Sequence, residues 1–111
     1  MKPLILSLLA TFALASTDML PPHEAANELA FLSTSDFECN LYMELANQDL
    51  LTFAKAEQQP NSKAIQQAYN SFMYHSSQAT TICNYIDELT VAGIQDVQDS
   101  ISYYYYYKHY K

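Results

Sequence analysis

The sequence predicts an all-α domain: a small up-down bundle of three to four helices around a central antiparallel helical hairpin stapled by one disulfide. Three observations carry that expectation. The chain has a single glycine, Gly93, and prolines only at positions 3, 21, 22 and 60, so the turn chemistry of a many-stranded sheet is nearly absent. Apolar residues recur at intervals of three and four over long stretches, the period of a helix face and not of a strand. The two cysteines, Cys39 and Cys83, stand 21 and 23 residues on either side of Pro60, where a hairpin would turn.

The first segment reads as an export signal. Lys2 gives a positive start, Leu4 to Leu14 form an apolar run broken only by Ser7 and Thr11, and Ala13-Leu14-Ala15 offers small residues at the two positions a signal peptidase reads. A signal peptide over residues 1–15, cleaved after Ala15, is expected to leave residues 16–111 as a single secreted domain. The apolar run falls well short of the roughly 20 residues that span a bilayer, and no later run approaches that length, so no membrane span is expected. Cleavage removes one of five lysines and none of the twelve acids, which takes the formal charge from −7 to −8.

Four helices follow in order. Pro21 and Pro22 suit a helix start, with Glu24 favourable in the first turn and good helix formers from His23 to Leu32. A capping box of Ser35 and Glu38 opens a second helix over about residues 36–57. Within it Cys39, Met43, Ala46, Leu50 and Phe53 align as one stripe, widened by Tyr42 and Ala54. Phe37, Leu41 and Leu45 form a second stripe that a further neighbour should cover. Pro60 disfavours helix at Gln59, and Asn61 caps the third and longest helix, whose stripe runs Ile65, Ala68, Phe72, Ala79, Ile82, Cys83, Ile86 and Leu89. Gly93 is expected as its C-terminal stop. Ile94, Val97 and Ile101, extended by Tyr104 or Tyr105, then mark a short fourth helix, and the tail Lys108 to Lys111 is expected to fray.

The cysteine register is the internal check. Both cysteines lie on the apolar stripes of their helices and stand at similar height in a hairpin turning near residue 60, which brings the sulfurs within bridging reach. Secretion allows the bond to form. Closing a loop of 44 residues is worth roughly 4 kcal/mol by chain entropy.

Composition and motifs exclude more functions than they suggest. An anionic chain without a basic cluster is repelled by phosphate backbones and anionic membranes, so no nucleic acid is expected as a partner. His23, His75 and His109 are scattered, and the cysteines are paired, which leaves no metal ligand set. His75, beside the third stripe, is expected at the edge of the core. One glycine cannot build a phosphate-cradling loop, and no nucleophile with its base is visible, so neither a cofactor nor an enzymatic activity is expected. Asn27, Asn40, Asn47, Asn61, Asn70 and Asn84 all fail the glycosylation sequon at its third position.

The unusual feature is the tyrosine-rich segment 103–111, with an unbroken run from Tyr103 to Tyr107. On a helix continuing from Ile94, Tyr104 and Tyr105 would face the bundle, while Tyr103, Tyr106, Tyr107 and Tyr110 would form an outward binding surface; the equal alternative is low-complexity drift in a tolerant terminus. The expected function is therefore extracellular protein–protein binding by a non-enzymatic helical domain. One alternative is a carrier of a small apolar ligand in a cavity lined by Phe31, Phe37, Met43, Phe53, Phe72 and Met73. A second is a matrix component cross-linked through its tyrosines.

Overall fold

The computed structural model describes residues 19–32, 34, 36–59, 61–84 and 88–110, and the signal segment with Ala15 lies outside them. Four helices follow one another: α1 (Pro22–Ala30), α2 (Phe37–Gln58), α3 (Ser62–Cys83) and α4 (Glu88–Lys108). Among the described residues there is no strand, and no helix is long and apolar enough to cross a membrane.

Each start has a local cause. Pro22 occupies the first turn of α1, where a missing N–H costs nothing. The cap of α2 is Asp36, whose carboxylate accepts from the Cys39 amide at 2.8 Å; Ser35, expected to cap, lies outside the described residues. An aspartate placed there also puts negative charge at the positive end of the helix. Asn40 locks the preceding segment by bonding Thr34 twice, from its side-chain nitrogen to the Thr34 carbonyl at 2.6 Å and from the Thr34 amide to its side-chain oxygen at 3.2 Å. Asn61 caps α3 as expected, accepting from Ala64 at 3.1 Å.

The helices form a closed square in which each packs on its chain neighbours and α4 returns to α1. Cys39, Met43, Ala46, Leu50 and Phe53 of α2 meet Ile65, Ala68, Phe72, Ala79 and Cys83 of α3 in one buried core, joined by Ala25, Ala26 and Leu29 of α1 and by Ile94, Val97 and Ile101 of α4. The Cys39–Cys83 disulfide crosses one end of the α2–α3 hairpin, with the two Cα atoms 5.1 Å apart. At mid-height Ser71 donates to Asp49 at 2.9 Å, again across that interface. Small side chains let α3 and α4 approach: Ser76, Ala79 and Ser100 are buried, and the Gln98 amide donates to Ser76 Oγ at 2.7 Å.

Three expectations are corrected. The third helix ends at Cys83 and not at Gly93; Leu89, assigned to its stripe, starts α4 and is 83% exposed, and Ile86 lies outside the described residues. The disulfide pins the end of α3 to the start of α2, so the chain must turn there for α4 to return along the bundle. Gly93 consequently sits inside α4, and its role is close approach: an added Cβ would lie 2.7 and 2.9 Å from the Leu32 methyls, which use that space to seal the end of α1 against α4. The Phe37–Leu41–Leu45 stripe is only partly covered: Phe37 is 77% exposed, Leu41 is exposed too, and Leu45 is half-buried. Both neighbours of α2 pack on the Cys39 stripe instead, leaving most of this flank free.

Two outcomes are expected. Chemical denaturation of a C39A/C83A variant should give a stability about 4 kcal/mol below that of the oxidised chain, and a loss under about 1 kcal/mol would contradict the loop-closure account. G93A should be neutral to mildly destabilising, because the roughly 1 kcal/mol gained in helix propensity is offset by displacing Leu32. In an L32A background the same change should stabilise by about 1 kcal/mol, a sign reversal that a double-mutant cycle reads directly.

Candidate functional site

The last three turns of α4 concentrate the aromatic chemistry of the molecule. Nine residues of α1 run about 13 Å along α2, whose 22 residues reach about 33 Å, so the far half of α2 has no first-helix partner. Backbones of α2 and α4 are not close among the described residues, and long side chains of α4 span that diagonal gap. Tyr104 and Tyr105 turn inward, three and four residues after the fully buried Ile101, and are only 9% and 7% exposed. Both set a ring edge against Phe53, at 6.1 and 6.3 Å between centroids.

Glu57 ties the plug down. Its Oε2 accepts the Tyr104 hydroxyl at 2.7 Å and meets His109 Nε2 at 2.5 Å, while the His109 ring also packs on Phe53. Tyr105 stacks on Tyr69 of α3 at 4.1 Å with rings nearly parallel, and the Tyr69 hydroxyl bonds Ser102 at 3.0 Å. Burial first, then the hydrogen bond to Glu57 and its charge, push the Tyr104 phenol well above its ordinary value. Burial is also the main cause that raises Tyr69.

Tyr103, Tyr106, Tyr107 and Tyr110 all point outward and are more than half exposed. Tyr106 and Tyr110 meet edge to face at 4.8 Å. Tyr103 and Tyr106, with Asp99 and Ser102, line a shallow cleft of about 390 Å³. Those four residues recur at helical spacing and so share one face of α4. Tyr107 and Tyr110 are not among the residues lining that cleft. On another flank the Lys108 ammonium lies 5.5 Å from the Tyr104 ring centre, an aromatic face already taking a cation.

Phe53 and Phe72 are fully buried and Met43 nearly so, whereas Phe31 and Phe37 are exposed, so the six candidate cavity residues are not brought together. His75 sits partly buried at the α2–α3 seam, with Nδ1 2.7 Å from Asp49. Ser71, Asp49 and His75 are the residue types of a hydrolytic triad, yet Ser71 gives its proton to Asp49 and approaches the same Nδ1 at 3.4 Å. A serine activated by histidine needs the opposite ring nitrogen, so the trio is a polar tie between helices. No group of three potential ligands close enough to hold a metal ion occurs among the described residues.

Sequence reasoning missed Tyr69, which continues the α3 stripe four residues after Ile65, and missed the His109–Glu57–Tyr104 tie altogether. The first was visible in the helical spacing. The second joins residues about fifty apart in sequence through a contact that no local pattern records.

Alkaline titration tests this arrangement. Followed by phenolate absorbance, Tyr69 and Tyr104 should ionise above the ordinary phenol value of about 10, and Y104F should remove one late-ionising group. Because the folded value of Tyr104 is raised, its contribution is complete below the ordinary value of about 10 and is lost as pH rises toward the folded value. Stability should therefore hold to about pH 10 and fall above it, and Y104F should cost about 1–2 kcal/mol at neutral pH. Ionisation of Tyr104 at the ordinary phenol value would contradict the buried assignment.

Comparison with protein-family models, with curated proteins and with solved structures finds no match to this chain.

Proposed function

We propose that the chain is an extracellular binding protein that engages another protein through the outward tyrosines of α4. The observation that carries the reading is the division of the tyrosine run. Two of its five rings are spent anchoring the end of α4, and three, Tyr103, Tyr106 and Tyr107, stand exposed on the helix so anchored, with Tyr110 exposed just beyond its end. Rings held in place lose little entropy on association, and each offers a large apolar area with a hydroxyl at its tip. Exposed aromatic groups gathered on one element are the composition of interface hot spots. The disulfide agrees with an oxidising compartment, as does the signal-like segment 1–15.

The exposed rings can be altered without touching the plug, and that separation makes the reading testable. The full chain, expressed in secreting cells of its source, should reach the medium beginning at Ser16. A photo-reactive phenylalanine analogue at position 107 should form a discrete adduct with one extracellular protein, while the same group at the exposed Gln48 of α2 should not. Y107A should weaken capture of that protein about tenfold with melting unchanged. Retention in the cell, or equal labelling from both positions, would sink the proposal.

A further inference from the structure

The cleft beside the tyrosine plug is chemically distinct from the rest of the outward face. Two tyrosine rings, Tyr103 and Tyr106, border it, and the carboxylate of Asp99 stands one helical turn before Tyr103. Asp99 makes no hydrogen bond or ion pair among the described residues; the ion pairs found there join His75 to Asp49 and His109 to Glu57. The geometry points to a site for an alkylammonium group, and we propose that its occupant is a lysine side chain from a basic segment of the partner protein.

The chemistry of the walls favours that occupant. An ammonium head is attracted to the negative faces of the rings and to the carboxylate, and the methylene stem lies against apolar ring surface. The protein supplies an internal precedent in Lys108, whose ammonium lies over the Tyr104 ring. Charge points the same way: the chain carries −7, and Asp96 stands three residues before Asp99 on α4. Burial first, then the nearby charge of Asp99, raise the Asp96 carboxyl, so an arriving cation would relieve a repulsion already present. An anionic ligand would face that repulsion instead. With only two rings and a solvent-screened carboxylate, a lone ammonium would be held weakly, and a segment carrying several lysines would gain by repeated rebinding.

This inference rests on the protein-binding reading, and its test is independent of that partner's identity. Tyrosine-ring resonances of the full folded chain are followed by NMR during addition of a tetralysine peptide, of the same peptide acetylated on its side chains, and of tetramethylammonium. Tyr103 and Tyr106 should shift saturably with tetralysine, and D99N should weaken that binding about fivefold while the circular dichroism is unchanged. High salt should weaken it further. Equal shifts with the acetylated peptide, unchanged affinity in D99N, or the absence of saturable shifts would overturn the proposal. Tetramethylammonium matching tetralysine would overturn the lysine segment as occupant and assign the cleft to small free amines. If position 107 captures a partner with equal strength in wild type and D99N, the cation site fails and the binding function stands. If tetralysine binds while position 107 captures nothing, the reverse holds.

Discussion

A nine-residue helix laid against one of 22 residues leaves about 20 Å of the longer helix without a wall, and a square bundle must fill that shortfall with side chains. Much of this molecule follows from that mismatch. Where α1 is present, small and aliphatic groups such as Ala25, Ala26 and Leu29 suffice to seal the core. Beyond it the backbones of α2 and α4 do not approach closely, and long side chains fill the space between them. Phe53, Tyr104, Tyr105 and the ring of His109 bridge it with the largest planar groups the chain possesses. Tyrosine in place of phenylalanine is then required by position, since the ring tip reaches the far helix and must find a polar partner there. For Tyr104 that partner is Glu57.

The same mismatch explains why a homopolymeric run can divide between buried and exposed positions. Five consecutive tyrosines on a helix are distributed around its axis at about 100° per residue, so a seam that accepts two of them must turn the others away. Identity of side chain does not imply identity of role. Tyr104 is held by hydrogen bonding and burial, while Tyr107, three residues later, is 77% exposed. A tolerant, fraying terminus would not show that division, because the inward rings reach partners on two different helices, Tyr69 of α3 and Glu57 of α2.

What was legible in the sequence was whatever obeys the helical period. The Cys39 to Phe53 stripe, the hairpin register and the inward turn of Tyr104 and Tyr105 are all phase relations, and each holds in the structure. The errors arose where phase continued but the helix did not. Ile86 and Leu89 extend the α3 spacing past the end of that helix at Cys83, and neither glycine nor proline marks the boundary. Gly93 was the decoy, because a glycine near an expected helix end is normally a stop, and here it serves packing against Leu32. The Phe37 stripe misled for a different reason: periodicity shows that a face is apolar, not that a neighbour exists to cover it. Acidic Glu88 in the first turn of α4 was the signal that placed the true boundary.

The disulfide closes a ring around α2 and α3 alone, and both end helices hang outside it. Breaking the non-covalent contacts of α1 and α4 would therefore leave a tethered hairpin, not a random chain, and the protein divides into a covalent inner unit and a detachable outer pair. Since α1 and α4 also touch each other, loss of one removes a wall of the other, and the pair should come away cooperatively as a single layer. The outward tyrosines belong to that layer. Anything that clasps them grips a part of the molecule that the covalent ring does not hold, so a bound partner would act on the fold as a brace and would lengthen the lifetime of the whole bundle.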